Sequence, residues 1–304
     1  MEAVGSGSAK LILFGEHAAV HGFPAIGVQL PERTTVRLFG PPADAWDLES
    51  VRPQDREALR ILMARLEGKL PRLKRSSISI TSTVPRGVGF GSSAALCAAL
   101  SSAVLGRGAE GAWELAHELE RAFHGTPSGI DTGLSLLAGV TAFDPQPPAL
   151  PRWETVQCAP LWLVVGAVPR SENSAALIRG IGERMLSGDS LVRSALSGLG
   201  RISAEARKRL TERASASSIA GLADQAQILL RDLDLSSTPL DAVIEAGRNH
   251  GALGGKLSGA GGGGAFFLVC DGEPSAQAVA ARLMKETRFV AAPRVLCIGE
   301  NSDA

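Results

Sequence analysis

The sequence contains no tyrosine, and its phenylalanines and tryptophans make up only 4% of its 304 residues. It also lacks an excess of charge of either sign, because 31 lysines and arginines balance 31 aspartates and glutamates. This balance argues against a nucleic-acid partner, since binding to a phosphate backbone depends on a surplus of positive charge. A hydrophobic share of 45% and a charged share of 20% are typical of an ordinary globular protein.

A membrane-length apolar run and a targeting segment are also missing. No apolar stretch reaches the roughly 20 residues that a membrane-spanning helix needs. The N-terminus has no basic region followed by an apolar run and a cleavage site. We therefore expect a cytoplasmic protein without a membrane partner. Cysteines are few and far apart, without a C-x-x-C pair, which favours buried free thiols over metal ligands or disulfides. They are Cys97, Cys158, Cys270 and Cys297.

Glycine, by contrast, is abundant, and one glycine-rich segment lies between a predicted strand and a predicted helix. Residues 76–83, SSISITST, alternate as a strand does, and residues 85–96, PRGVGFGSSAAL, place three spaced glycines before a helical run. Glycines allow backbone N–H groups to converge, and the positive end of the following helix adds to such an anion site. The segment predicts a phosphate cradle, although a plain turn explains a glycine-rich loop equally well. It lacks the lysine of a Walker-type loop.

The length of the chain predicts two domains. Residues 144–151, DPQPPALP, hold four prolines and predict neither strand nor helix, so the boundary is placed there, between domains 1–150 and 151–304. Strands are predicted at 9–14, 25–30, 34–39, 76–83, 161–168, 265–270 and 295–299. Helices are predicted at 53–70, 92–105, 112–123, 132–137, 174–186, 190–199, 204–233, 240–249 and 275–285.

Three separated segments resemble, in order and spacing, the motifs of the GHMP kinases, the superfamily of galactokinase, homoserine kinase, mevalonate kinase and phosphomevalonate kinase. They are GSAKLILFGEHAAVHGFPAI at 7–26, PRGVGFGSSAA at 85–95 and KLSGAGGGGAFFLV at 256–269. GEHAAVHG, HGTPSGID at 124–131 and KLSGAGGGG are similar to the mevalonate kinase family in particular. The resemblance implies an α+β, two-domain fold with the active site in the cleft between domains. The N-terminal domain would be ribosomal-protein-S5-domain-2-like and the C-terminal domain ferredoxin-like.

The same resemblance implies ATP-dependent phosphorylation of the 5-hydroxyl of mevalonate, a step of isoprenoid biosynthesis. ATP and mevalonate would be the small-molecule partners and Mg²⁺ the cofactor, and a homodimer is compatible with the pattern. The alternative within the superfamily is phosphomevalonate kinase or another small-alcohol kinase, because the ATP motifs are shared. A non-catalytic nucleotide-binding protein of the same fold is disfavoured, since that protein would be expected to have lost Lys10, Glu120 or Asp131.

On the nucleotide side, the family pattern assigns the phosphates to the loop residues Gly87, Val88, Gly89, Phe90, Gly91, Ser92 and Ser93. It also assigns Mg²⁺ to Ser93 and Glu120, whose side chains supply the oxygen ligands that this hard cation prefers. Without the resemblance, Glu120 would be interpreted as an ordinary solvated glutamate beside Arg121.

Asp131 matches the catalytic aspartate of the family and Lys10 the lysine beside it. The resemblance therefore implies contact between the two. From the residues alone, a lysine in the strand AKLILF must reach the surface or find a partner. From the residues alone, Asp131 could equally cap the helix predicted at 132–137, and the two roles can coexist.

On the substrate side, Glu16 and His17 match the pair that lines the mevalonate pocket. Arg170 and Ser174, in VPRSENSAALI, resemble a segment that offers an arginine and a hydroxyl to mevalonate, although extra residues between 170 and 173 disturb the register. Arg170 could equally be a surface charge at a helix start. In the third motif, residues 259–264 are expected to lie against the phosphate loop, with Gly259, Gly261 and Gly262 as supporting glycines.

Overall fold

The computed structural model describes residues 2–106, 109–123, 127–170, 174–286 and 288–299, without the side chains of 109, 110, 174, 175 and 286. The chain forms two compact units that interleave along the sequence. The predicted domains 1–150 and 151–304 are continuous segments and stay a prediction. The first unit comprises Met1–Lys10, Gln29–Val84 and Gly91–Leu137, and the second comprises Leu11–Val28, Pro85–Phe90 and Ala138–Ala304.

Strand β2 (Ala25–Ala43) replaces two predicted strands. Its residues 34–43 pair with β3 (Arg75–Ser82) in the first unit, and its residues 25–28 pair with β4 (Val140–Gln146) in the second. Pro31 lies between these two stretches, so its missing N–H leaves neither ladder without a hydrogen bond. The sheet order is β1-β2-β4-β5, with β1 at Ala3–Phe14, β5 at Ala149–Thr155 and β3 paired to β2.

The helices of the first unit bury apolar side chains against β2 and β3. They are α1 (Arg56–Lys69), α2 (Ser92–Leu105), α3 (Ala109–Glu120) and α4 (Ile130–Leu136). In α1, Leu59, Leu62, Met63 and Leu66 follow the predicted helical spacing, and all four belong to the core.

Strand β1 and helix α2 approach unusually closely. A Cβ atom on Gly5 would collide with the carbonyl oxygen of Ala99, and one on Gly7 with that of Ala95. Only glycine allows this contact. The close packing fixes the end of β1 that carries Lys10 beside the start of α2.

The second unit contains a four-stranded antiparallel sheet in the order β7-β8-β6-β9. Strand β8 is buried at every residue, which explains its unbroken apolar sequence. The strands are β6 (Leu161–Val168), β7 (Gly254–Leu257), β8 (Gly264–Cys270) and β9 (Ala291–Ile298). The helices are α5 (Ser174–Leu186), α6 (Ser190–Thr211), α7 (Ala216–Asp232), α8 (Thr238–Asn249) and α9 (Glu273–Glu286).

Three predictions of local structure are wrong. The proline-rich segment 144–151 belongs to a hairpin, because Pro147 and Pro148 form the turn between β4 and β5. Strand β7 was not predicted, since two of its four residues are glycines. Helix α6 continues past residue 199, where Gly198 and Gly200 admit the side chains of Leu229 and Phe23 instead of ending the helix.

All four cysteines are free thiols. Cys97, Cys158 and Cys270 are buried as predicted, whereas Cys297 is only partly buried. Among the helices in the described part of the chain, none combines the length and the apolar character needed to cross a membrane.

Candidate active site

The glycine loop adopts the conformation that its sequence predicts. Gly87, Gly89 and Gly91 have φ angles of 71°, 97° and 75°, a region that favours glycine. The loop follows β3, and α2 begins directly after it at Ser92 with Gly91 as N-cap. Gly91 has no side chain that could cap the helix, and N–H groups at the first turn of a helix are suited to bind an anion.

Lys10 and Asp131 form an ion pair in the first unit, with 3.0 Å between Nζ and Oδ1. The predicted contact is therefore present. Lys10 is buried, whereas 33% of the Asp131 side chain is exposed, which leaves the carboxylate open to a ligand. A Cβ atom on Gly91 would lie 2.7 Å from Cγ of Lys10, so the glycine lets the lysine side chain run against the loop.

Asp131 is held by the first turn of α4. The helix begins at Ile130 with Gly129 as its N-cap, so the alternative interpretation of Asp131 as the cap is wrong. Trp113 Nε1 and Thr132 Oγ1 both donate to the carbonyl oxygen of Gly129, each at 3.0 Å, and fix this turn. Residues 124–126 of the motif HGTPSGID lie outside the described residues.

Glu120 is the last residue of α3 and is buried, so the interpretation as a solvated glutamate beside Arg121 is wrong. Arg121 pairs with Glu118 instead, at 3.1 Å. Burial raises the pKa of Glu120 to about 8, and the negative charge of Asp131 adds to this rise while Lys10 opposes it. Among the described residues, no hydrogen-bond donor reaches Oε2 of Glu120.

These features fit a divalent cation that also binds phosphates. A buried carboxylate oxygen without a partner is a ready ligand, and Ser93 supplies a hydroxyl in the first turn of α2. The described part of the chain contains no cluster of three His, Cys, Asp or Glu side chains suited to a metal. Mg²⁺ in nucleotide sites is commonly held by one or two protein oxygens together with phosphates and water.

In the second unit, Glu16 forms an ion pair with Lys256, a residue that the sequence analysis did not assign to the site. Lys256 is fully buried and also donates to the carbonyl oxygen of Leu257 at 2.6 Å. Its ammonium group lies 5.4 Å from the ring centre of Phe267 and 6.0 Å from that of Phe14. Burial lowers the pKa of Lys256, and Glu16 counters this effect. The sequence did contain a signal for Lys256, because a lysine is unusual in a motif made mainly of apolar residues and glycines.

His17 follows Glu16 and has a left-handed backbone, with φ at 59°. Its Nε2 lies 3.2 Å from the carbonyl oxygen of Ala260. Burial lowers the pKa of His17 to about 4, so the ring is neutral at pH 7. Because a carbonyl oxygen only accepts, Nε2 carries the hydrogen and Nδ1 can accept a hydrogen bond from a ligand hydroxyl.

Within the second unit, Arg170 lies against the glycine loop. Cβ atoms on Gly89 and Gly264 would lie 3.1 Å and 2.8 Å from its Nη2 atom. Burial lowers the pKa of Arg170, and its Nε has no hydrogen-bond partner among the described residues. It is thus a partly buried cation beside the loop and not a surface charge. The side chain of Ser174 and residues 171–173 lie outside the described part, so the proposed hydroxyl contact and its register stay predictions.

The glycines of the third motif differ in the neighbours that they contact. Gly264 packs on the glycine loop, because a Cβ atom on Gly264 would lie 2.9 Å from the carbonyl oxygen of Val88. Gly261 packs on Leu235, and Gly262 donates to the carbonyl oxygen of that residue at 2.9 Å. A Cβ atom on Gly259 would meet nothing within 4 Å. The expected contact with the phosphate loop is therefore made by Gly264, whereas Gly261 and Gly262 anchor the turn on Leu235.

Comparison with known proteins agrees with this arrangement. The sequence profile of the GHMP kinases N terminal domain matches residues 56–139, and that of the GHMP kinases C terminal region matches residues 207–287. The mevalonate kinase of Thermococcus sibiricus is 28% identical over 93% of this chain and 93% of its own length. That of Methanothermobacter thermautotrophicus is 29% identical over 90% and 91%.

Among solved structures, L. major mevalonate kinase in complex with R-mevalonate superposes with a TM-score of 0.82 at 23% identity. The match covers 98% of this chain and 96% of that protein, so the two share a fold. The two profile matches together span more than half of the sequence and include α1 to α4 on one side and α7 to α9 on the other. With the glycine loop and the Lys10–Asp131 pair in place, the chain belongs to the GHMP kinase family.

Proposed function

We propose that this protein is a mevalonate kinase, which transfers the γ-phosphoryl group of ATP to the 5-hydroxyl of mevalonate. The observation that carries the proposal is the Lys10–Asp131 ion pair, with a partly exposed carboxylate beside a buried lysine. The names of the curated relatives, which match nearly the whole chain, supply the substrate.

The chemistry needs a base for the attacking alcohol, a phosphate cradle and a counter-charge. Asp131 accepts the proton of the hydroxyl, and Lys10 holds the carboxylate in place through its ammonium group. General-base action of this kind contributes about 10²–10⁴-fold in rate. The N–H groups of the glycine loop and of the first turn of α2 bind the phosphates.

Glu120 and Ser93 are the residues that would hold Mg²⁺. The cation would neutralise charge on the phosphate oxygens, a contribution common to phosphoryl transfer. Burial keeps competing water away from Glu120, which strengthens its interaction with a cation once the carboxyl group is ionised.

Glu16 and His17 are proposed to bind mevalonate. Lys256 fixes the carboxylate of Glu16, and Ala260 fixes the ring of His17 with Nδ1 as acceptor. Arg170 supplies a cation for the carboxylate of mevalonate, a group that guanidinium binds in a bidentate manner.

The experiment is a measurement of ADP release by the purified protein with ATP and Mg²⁺. The acceptors compared are mevalonate, 5-phosphomevalonate, galactose and homoserine at equal concentration. We expect a strong preference for mevalonate. A preference for 5-phosphomevalonate would contradict the assignment of Glu16, His17 and Arg170 while leaving that of the nucleotide loop intact. Binding of ATP without turnover of any acceptor would contradict the proposed activity altogether.

A further inference from the structure

A groove with a volume of about 830 Å³ lies in the first unit, and none of the residues assigned to the candidate active site lines it. Its size is within the range of about 300–1,000 Å³ that is usual for small-molecule sites. Most of its wall is apolar and comes from β2, from the connection between α1 and β3 and from the end of α2. Its apolar side chains include Leu38, Leu70, Leu73, Ala103, Val104 and Leu105.

The polar part of the wall carries charge of one sign. Four cationic side chains line the groove, and no acidic residue in the described part of the chain does so. Two of the cations are already engaged, because Arg75 pairs with Glu67 at 2.6 Å and Lys69 pairs with Glu118 at 3.5 Å. The other two are Arg72 and Lys74, both exposed, and neither has an ion pair or hydrogen bond with any described residue.

The charged and the apolar side chains of the wall share the connection between α1 and β3, where Leu70 and Leu73 lie beside Arg72 and Lys74. The end of α2 adds only apolar side chains. An anionic group would bind at Arg72 and Lys74, the two cations of the groove without an ion pair to a described residue, and an apolar chain would lie over the neighbouring leucines toward α2.

We propose that this groove binds a single-chain amphiphile with an anionic head group. The chain covers the half-buried apolar side chains of the wall, Leu70, Leu73, Val104 and Leu105, whose contact with water costs free energy in proportion to the exposed area. The head group pairs with Arg72 and Lys74. Neither the apolar wall alone nor the two cations alone would select such a ligand, since each is common on protein surfaces. The inference is independent of the phosphoryl-transfer activity.

The test is isothermal titration calorimetry of the full chain with dodecyl phosphate below its micelle concentration. Dodecanol serves as the ligand without charge, and inorganic phosphate as the head group without chain. We expect saturable binding of dodecyl phosphate alone, weakened by added salt. The double variant Arg72→Ala/Lys74→Ala should bind about five- to tenfold more weakly, as two partly screened ion pairs would predict.

The matched control is Arg65→Ala/Arg193→Ala, which removes the same charge from exposed positions outside the groove. It should bind like the parent protein, and thermal melting should show that both variants are folded. Equal weakening in the control would overturn the proposal, because net charge alone would then explain the binding. The proposal would also be overturned if inorganic phosphate or dodecanol bound as tightly as dodecyl phosphate. Absence of any binding, or association only with phosphatidylserine vesicles, would overturn it as well.

Discussion

At the scale of single residues, Glu120 is a buried carboxylic acid of the candidate site. Its pKa of about 8, raised from 4.5 mainly by burial, means that the folded protein holds a proton that the unfolded chain releases. The contribution of Glu120 to the free energy of unfolding is therefore most favourable below pH 4.5, and it decreases as the pH rises toward 8. Without a cation, Glu120 stabilises the site only in its neutral form.

The variant Glu120→Gln should remove this pH dependence, because glutamine does not ionise. In the absence of Mg²⁺ it should be more stable than the parent protein at pH 8 by about 1–3 kcal/mol, with little difference at pH 4.5. It should also need more Mg²⁺ for turnover. Urea unfolding at both pH values and a Mg²⁺ titration provide the test, with Glu118→Gln as control. Unchanged stability and an unchanged Mg²⁺ titration would show that Glu120 is not in the inferred environment.

The buried pair of Glu16 and Lys256 predicts a second effect at this scale. Lys256→Met leaves the carboxylate buried without its cation, so stability should fall by about 3–5 kcal/mol. The double variant Glu16→Gln/Lys256→Met should recover part of that loss but not the affinity for mevalonate. Urea unfolding and the KM for mevalonate distinguish the two effects, and Lys208→Met controls for the loss of charge. A single variant as stable as the control would contradict the pairing.

His17 links pH to stability in the opposite direction. Its folded pKa of about 4 lies below the ordinary value of 6.5, so protonation favours the unfolded chain between these two values. Stability should fall by up to about 1 kcal/mol per unit as pH drops through this window. In His17→Asn this slope should be reduced, as measured by urea unfolding at pH 4.5, 5.5 and 6.5. His250→Asn, which changes a histidine in another position, is the control. An identical slope in His17→Asn and the parent protein would exclude this role.

The sequence predicted site residues that lie in short motifs, among them Lys10, Asp131 and Glu16. The expected contact of Lys10 with Asp131 is present, and the roles proposed for the three residues stay predictions. Lys256 was missed because its partner is 240 positions away, and no local pattern reports such a pairing. The burial of Glu120 could not be predicted from the sequence either, because the neighbouring Arg121 suggests an exposed helix end.

At the scale of elements, the glycine loop between β3 and α2 allows a matched comparison. Gly87 and Gly91 have similar φ angles, 71° and 75°, so alanine imposes similar backbone strain at both. A Cβ atom at position 87 would meet nothing within 4 Å, whereas one at 91 would press on Lys10. Replacement at Gly91 should therefore disturb the Lys10–Asp131 pair in addition to the loop.

We expect Gly91→Ala to lower kcat about tenfold more than Gly87→Ala does, because displacement of a positioned group costs about 10²-fold in unfavourable cases. Both variants should raise the KM for ATP by similar factors. Steady-state kinetics with saturating mevalonate separate the two parameters. Equal losses of kcat would indicate that the contact of Gly91 with Lys10 is not important for turnover.

Elements with strong periodicity were predicted with their observed bounds, as α2, α5 and β6 show. The failures have a physical cause in each case. The hairpin of β4 and β5 places its consecutive prolines in the turn, where no ladder hydrogen bond is needed, and β7 is held by pairing with β8 instead of by its own side chains.

At the scale of the whole molecule, the two compact units interleave along the sequence, and the predicted domains 1–150 and 151–304 stay a prediction. Strands β1 and β2 each contribute residues to both units, so a composition shift along the sequence does not mark where one unit ends. Family membership was more accessible, because it is carried by three short motifs in a fixed order, each of which can be read locally in the sequence.

The central claim is that Asp131, held by Lys10, acts on the hydroxyl of mevalonate. Its most direct test is kcat for mevalonate phosphorylation in Asp131→Asn and Lys10→Met, with the Kd for ATP measured separately. We predict folded proteins whose kcat falls by at least about 100-fold for Asp131→Asn, with ATP binding by that variant changed by less than about threefold. Turnover close to that of the parent protein in Asp131→Asn would contradict the account.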